Sequence, residues 1–362
     1  MLDSISGKRT DWRARAALPA LKGVSHVYRA LVVLRNAAYG AGILKRTDME
    51  VPVISVGNIT AGGTGKTPLV ELLVKGLAER GRKPAILSRG YGPPVREGEG
   101  PRSGVSDEAL VLGDNLPGVP HLLRANRVVG ARMAIDEHGA DSIVCDDAFQ
   151  HLRLGRDLNV VAIDATFPFG YGEMLPRGLL REPLRGLSRA DVFVLTRTDL
   201  AAKDDVRRLS EGLRRYSPEA VVALSRHRPV ELRGHLVENR RPVEDLKSCR
   251  VAAFSAIGNP HAFGMTMRGL GAQVVYAKRF EDHHVYTEAE LEAIGAEAAA
   301  RDAEMVVVTQ KDAVKVRQDP GWPIPLYYLA VELELVEGAD GFWGAVEAAL
   351  ATGDARGGPG GE

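Results

Sequence analysis

A chain of 362 residues is longer than one compact core usually holds, and ordinary domain sizes point to two domains. Its 47 basic residues balance 47 acidic ones and 45% of the chain is hydrophobic, so a folded protein is expected, with no global charge that would favour nucleic acid as a partner. Cys145 and Cys249 belong to no CxxC pattern, which argues against a disulfide scaffold or a structural zinc and fits a reducing cytoplasm.

The charge is neutral only on average. Residues 1–46 carry Lys8, Arg9, Arg13, Arg15, Lys22, Arg29, Arg35, Lys45 and Arg46 against Asp3 and Asp11, a basic arm of net charge +7. No signal-peptide layout precedes it, so the protein is expected to stay inside the cell. Residues 24–44 are apolar but interrupted by His26, Arg29, Arg35 and Asn36, too polar for a comfortable membrane span. As a helix this stretch puts Val27, Leu31, Leu34 and Ala38 on one face. It can lie in a membrane interface or pack on the protein's own core, and periodicity does not choose between them.

A β-branched strand is predicted at 51–56, followed by a glycine-rich loop and a helix at 69–80 closed by Gly81. Further short apolar runs at 85–88, 142–145, 159–163 and 192–195 alternate with helical stretches. This pattern predicts an α/β fold of the P-loop NTPase type, a mostly parallel sheet with helices on both faces. A second series begins near Arg250, with strands at 251–256, 273–276, 305–309 and 326–329 and a helix opened by the capping-box pair Thr287 and Glu290. The expected organisation is a basic amphipathic membrane-associating arm at 1–46, a P-loop domain at 47–240, a smaller α/β domain at 250–345 that closes a cleft, and a disordered glycine-rich tail at 352–362.

The loop after the first strand reads Gly57-Asn58-Ile59-Thr60-Ala61-Gly62-Gly63-Thr64-Gly65-Lys66-Thr67-Pro68. It matches the double-glycine form of the phosphate loop, because the first glycine of the stricter pattern is replaced by Thr60. Residues Thr60, Ala61, Gly62, Gly63, Thr64, Gly65, Lys66 and Thr67 are therefore candidate nucleotide contacts. The glycines let backbone N–H groups turn toward phosphates, Lys66 neutralises phosphate charge and the Thr67 hydroxyl can ligate Mg²⁺. A P-loop also needs a carboxylate at the end of a neighbouring strand, and the run Ser142-Ile143-Val144-Cys145-Asp146-Asp147 offers Asp146 first and Asp147 second. In isolation, turn-forming acidic residues would explain that pair equally well.

Five more runs occur in order: Ser88-Arg89-Gly90-Tyr91-Gly92, Ser106-Asp107-Glu108, Asp146-Asp147-Ala148-Phe149-Gln150-His151, Leu180-Arg181-Glu182-Pro183 and Asp282-His283-His284. Together with the phosphate loop they resemble the tetraacyldisaccharide 4'-kinase family over roughly residues 20–335. The resemblance implies an enzyme that uses MgATP to phosphorylate the 4'-hydroxyl of a tetraacyldisaccharide 1-phosphate, a lipid A disaccharide precursor, peripherally at the cytoplasmic face of the inner membrane. It implies that Asp107 is the base toward the sugar hydroxyl, paired with His283 or His284, with Asp282 behind. It also implies Glu108 as a further metal ligand and Arg181, Glu182, Gln150 and His151 in the cleft.

Without the resemblance, Ser106 or Asp107 reads as a helix cap, the Asp-His-His run as a solvated loop and Arg181-Glu182 as a surface pair. Two other readings stand beside the kinase. The strings Thr196-Arg197-Thr198-Asp199 and Thr309-Gln310-Lys311-Asp312 faintly match the base-reading motif of GTPases, which would suit a GTPase or metal-insertion chaperone. The basic arm alone would suit a nucleotide-dependent membrane-anchoring module.

Overall fold

The computed structural model describes residues 12–90, 105–235, 238–316 and 320–357. Lys8 and Arg9 of the basic arm, Tyr91, Gly92 and residues 358–362 lie outside the described residues. In chain order the elements are α1 (Trp12–Gly40), β1 (Val53–Gly57), α2 (Lys66–Glu79), β2 (Pro84–Ser88), α3 (Asp107–Asn115), β3 (His121–Leu123) and α4 (Arg127–His138). They continue with β4 (Ser142–Cys145), β5 (Leu158–Asp164), β6 (Val192–Thr196), α5 (Lys203–Arg214), β7 (Val221–Gly234) and β8 (Arg240–Pro242). The last are β9 (Arg250–Ser255), α6 (Pro260–Gly269), β10 (Gln273–Arg279), α7 (Glu288–Ala300), β11 (Met305–Thr309), α8 (Gln310–Ala313), β12 (Leu326–Glu337) and α9 (Ala339–Gly357).

The chain divides into two compact units. The first comprises Met1–Arg89, Gly118–Arg226 and Leu335–Glu362, and the second Gly90–Pro117 and His227–Glu334. In the first, parallel strands run in the order β7-β6-β5-β1-β4-β2-β3. Every residue of β1, β2, β4 and β6 is buried, as parallel strands covered on both faces require. Val53, Leu87 and Ile143 cluster with Val128 and Ala131 of α4, and Val161 and Phe193 cluster with Val206 and Leu213 of α5 and Val32 of α1. Alternate residues Ile54, Val56, Val144 and Val160 point the other way and are fully buried too, with α2 and α9 packed against these strands.

Among its described side chains, helix α1 packs by one stripe. Ser25 Oγ donates to the Met174 carbonyl at 2.9 Å, Tyr28 Oη to the Arg181 carbonyl at 2.9 Å and Asn36 Nδ2 to Glu182 at 3.1 Å, while Val32 enters the core. Spacings of three and four residues put these on one side. Val24, Val27, Leu31 and Leu34 stay exposed, Leu34 at 69%.

The second unit has parallel strands in the order β10-β9-β11-β12, with β7 beside β12 and β8 antiparallel to β7. Phe254, Ile294, Val306 and Val308 form one of its cores. The capping box on α7 is present in full, with Thr287 Oγ1 accepting from the Glu290 N–H and Glu290 reaching back to the Thr287 N–H at 2.9 Å.

The division differs from the expected 47–240 and 250–345. The first unit gives up residues 90–117, the chain leaves it inside β7 after Arg226, and it returns inside β12 at Leu335. A boundary inside a continuous strand carries no turn signal, and the mixed sequence of β7 hides the strand as well. The tail differs too, since α9 continues to Gly357 through the expected disordered start at 352. Arg356 anchors it, donating to the Met49 carbonyl at 3.1 Å and pairing with Asp157, and Arg82 pairs with Asp354 at 2.7 Å. These are long-range partners that a glycine-rich composition cannot announce.

Candidate functional site

In the first unit the phosphate loop joins β1 to α2, as its sequence requires. Gly65 precedes α2 at φ 86°, a left-handed conformation that glycine adopts at no steric cost. The loop is braced from outside its own motif. Ala61 N–H donates to the Leu179 carbonyl at 2.7 Å, Thr196 Oγ1 to the Thr64 carbonyl at 2.9 Å and Arg197 Nη1 to the Gly63 carbonyl at 3.0 Å. Arg197 also pairs with Asp164. Asn58, fully buried, donates to Thr64 Oγ1 at 2.9 Å. Nothing local in the sequence marks Leu179, Thr196 and Arg197 as loop contacts, because tertiary structure brings them here.

Gly57 ends β1 where the Asp146–His151 run passes closest. A Cβ there would stand 2.5 Å from Phe149 Cβ and 2.7 Å from the Phe149 backbone nitrogen. Backbone cannot swing aside as a side-chain tip can, so Gly57→Ala is expected to cost about 1–3 kcal/mol as an overpacking strain. It should also displace the acidic turn and lower turnover. Urea midpoints and steady-state rates on the purified variant check both parts.

Asp146 closes β4 with a buried side chain, and its carbonyl accepts from Arg127 Nη2 at 2.6 Å. Asp147 follows at φ 49° and is held from two sides, by Arg181 Nη1 at 2.7 and 2.9 Å and by Lys66 Nζ at 3.6 Å. Burial alone would push its carboxyl up, but Lys66 and Arg181 outweigh that and hold it at about 2. Thr67 is buried in the first turn of α2. Hydroxyl and carboxylate oxygens of this kind suit Mg²⁺, a hard cation.

Arg181 and Glu182 are neighbours with separate tasks. Arg181 serves Asp147, whereas Glu182 is fully buried and accepts from Arg189 Nη2 at 2.8 Å, Gln150 Nε2 at 3.0 Å and Asn36. Gln150 Nε2 also donates to the Asn58 carbonyl at 2.8 Å, which links it to the phosphate loop. His151 is pushed down to about 4 by burial first and by surrounding arginines second. An exposed surface pair at 181–182 is thereby excluded.

In the second unit Ser106 caps α3, its Oγ accepting from the Ala109 N–H at 3.3 Å, so Asp107 is the first helical residue and not the cap. His283 Nδ1 donates to the Asp107 carboxylate at 3.1 Å. Asp282 Oδ2 stands 3.8 Å from His283 Nε2. His284 is engaged elsewhere, 3.0 Å from Glu290 Oε2 and stacked on Phe280 at 4.6 Å. Of the two histidines, His283 therefore meets Asp107. Burial pushes the Asp107 carboxyl up, but the hydrogen bond from His283 and the charge of Lys311 hold it below the usual carboxylate range. The same hydrogen bond raises His283 above its ordinary value.

Glu108 pairs with Lys311 Nζ at 2.6 Å. Oxygen and nitrogen donors of Asp107, Glu108 and His283 come within 4.8 Å of one another, a spacing a metal ion could span. Two ammonium groups stand against that use: Lys311 on Glu108, and Lys315 at 3.7 Å from Asp107. Local positive charge favours an ionised acid over a bound cation. Asp312, the acidic end of the GTPase-like string, is fully buried and accepts from the Ala256 N–H at 2.9 Å and Tyr286 Oη at 2.8 Å. It is spent on structure and cannot read a base. In the other such string Thr196 and Arg197 brace the phosphate loop instead.

Comparison with known proteins shows the family. The sequence model of the family described as Tetraacyldisaccharide-1-P 4'-kinase matches residues 17–351. The tetraacyldisaccharide 4'-kinase of Anaeromyxobacter dehalogenans (strain 2CP-C) is 41% identical, over 94% of this chain and 93% of that one. That of Halothermothrix orenii is 37% identical, over 85% and 87%. A crystal structure of LpxK from Aquifex aeolicus in complex with ATP is similar with a TM-score of 0.68 at 26% identity, covering 92% of this chain and 99% of that one. With the family matched along nearly its whole length, the chain belongs to the tetraacyldisaccharide-1-P 4'-kinase family.

Proposed function

We propose a division of labour by which this enzyme, an ATP-dependent kinase of lipid A synthesis, phosphorylates the 4'-hydroxyl of its tetraacyldisaccharide 1-phosphate substrate. The phosphate loop cradles the ATP phosphates, and Lys66 stabilises charge that develops on the transferring group. Thr67 and Asp146 would hold Mg²⁺, which neutralises phosphate charge when bound. Asp147, tied to Arg181, keeps Lys66 and the acidic turn in register. Asp107 accepts the proton of the attacking hydroxyl, and His283 orients it.

The observation that carries this reading is the Asp107–His283 hydrogen bond at 3.1 Å. A phosphate loop alone serves many nucleotide enzymes, whereas a buried carboxylate held by an imidazole is suited to orienting a hydroxyl acceptor. The test is transfer of ³²P from γ-labelled ATP to tetraacyldisaccharide 1-phosphate in mixed micelles. Labelled lipid is the expected product, and release of inorganic phosphate without labelled lipid would overturn the assignment.

Peripheral binding at the cytoplasmic face of the inner membrane belongs to the same proposal. None of the described helices is long and apolar enough to cross a membrane. The exposed Val24, Val27, Leu31 and Leu34 of α1, flanked by exposed Arg29 and Arg35, suit the headgroup–acyl boundary. The substrate's acyl chains remain in the bilayer, so the enzyme must come to them. The triple variant Val27→Ser, Leu31→Ser and Leu34→Ser spares the stripe formed by Ser25, Tyr28, Val32 and Asn36. It is expected to weaken binding to anionic liposomes and raise the apparent KM for micellar lipid, with the KM for ATP unchanged. Liposome sedimentation and two-substrate kinetics check it.

A further inference from the structure

Lys315 is a buried lysine with no part in the motifs discussed above, and it lies next to the carboxylate proposed as base. Its side chain is 10% exposed. Nζ donates to the Ala256 carbonyl at 3.0 Å, lies 3.2 Å from Asp312 Oδ1 and stands 3.7 Å from Asp107 Oδ2. Of its three N–H donors, the Ala256 carbonyl and Asp312 take two, and Asp107 faces the ammonium as an ion pair. Burying such a charge is costly unless it is paired.

Asp312 would satisfy that need by itself. It is rigidly mounted: Oδ1 accepts from the Ala256 N–H and from Tyr286 Oη, and Oδ2 from Thr309 Oγ1 at 2.6 Å. Asp107 is then a second carboxylate brought to the same cation, with an 8% exposed side chain of its own. Its hydrogen-bonded partner differs in kind, for the His283 side chain is 58% exposed on a loop, at φ 62°. The solvent-facing partner can exchange as substrate arrives, while the buried one stays.

We propose that Lys315 is a positioning residue for the phosphoryl acceptor: anchored by Asp312 and the Ala256 carbonyl, it holds Asp107 in the orientation at which it meets His283. This inference rests on the reading of Asp107 as base. At 3.7 Å the contact exceeds hydrogen-bond length, so it orients by charge and contributes little shape. Without the cation, Asp107 and Asp312 would face each other as like charges. Asp312 would keep its three other donors, so Asp107 is the group that moves.

The test uses the full chain and steady-state kinetics with ATP and tetraacyldisaccharide 1-phosphate. Lys315→Met is expected to lower kcat roughly 10²-fold, the scale of a misplaced reacting group, with the KM for ATP unchanged. Lys315→Arg, which keeps the charge, should recover most of that loss. In an Asp107→Asn background Lys315→Met should cost little more, because a neutral amide does not need the cation. Three results would overturn the proposal: unaltered kcat in Lys315→Met, a fully multiplied loss in the double variant, or a lowered Tm with normal turnover per folded molecule. If Lys315→Met does not fold, Lys315→Arg and Lys315→Gln carry the comparison, with Gln expected to fail where Arg succeeds. An Asp107→Asn enzyme of normal turnover would instead remove the base assignment itself, which separates the two failures.

Discussion

Lys66→Ala is expected to lower kcat by about 10²–10³-fold, the usual cost of removing one preorganised charge contact from a developing oxyanion. The fold should survive. Lys66 shares Asp147 with Arg181, which remains at 2.7 and 2.9 Å when the lysine is gone. The loop itself is braced by Thr196, Arg197 and Leu179. Turnover and thermal melting of the purified variant check both halves. Near-normal turnover in a folded Lys66→Ala protein would remove the phosphate-loop assignment.

Asp107→Ala should lower kcat by roughly 10²–10⁴-fold, the range of a lost general base, and leave the KM for ATP nearly unchanged. Helix α3 keeps its cap because Ser106, not Asp107, accepts the Ala109 N–H. Replacing His283 should cost less and add little to the Asp107 loss, since the two act as one hydrogen-bonded unit. His283 sits at φ 62°, where alanine is strained, so His283→Asn is the better probe. A fully multiplied loss in the double variant would show that the residues act separately.

The same pair gives a signed pH dependence of stability. Asp107 is lowered on folding, so its contribution is present above its unfolded value and fades as pH falls. His283 is raised, so its contribution is complete below its unfolded value and fades as pH rises through the folded one. The difference in Tm between wild type and Asp107→Ala should therefore be greatest between about pH 4 and 6.5. A difference that does not shrink below and above that range, or that grows at alkaline pH, would contradict the pairing.

Much of the core was legible in the chain because it is local. The strand predicted at 51–56 is Val53–Gly57, those at 142–145 and 305–309 coincide with Ser142–Cys145 and Met305–Thr309, and the Thr287–Glu290 box opens α7 as its spacing required. A buried parallel strand announces itself by a short β-branched run, and a cap by two residues three apart. Strand β7 was not legible for the converse reason. Its run Val221–Gly234 mixes half-buried and exposed positions with four basic residues before its end, including His227, so neither a continuous apolar run nor a clean alternation appears.

By itself, then, the sequence determined the α/β class, the strand–loop–helix that carries Lys66 and Thr67, and the six ordered segments that mark the family. Only the tertiary structure decided which histidine meets Asp107, that Glu182 turns inward to Gln150 and Asn36 while Arg181 turns to Asp147, and that Lys315 stands between two carboxylates. Asp107 and His283 are 176 residues apart, and Asn36 and Glu182 are 146 apart. Periodicity and spacing report the preferences of a few neighbouring residues, whereas partners at such separations are chosen by the order in which strands pair and by the need to compensate every charge the fold buries.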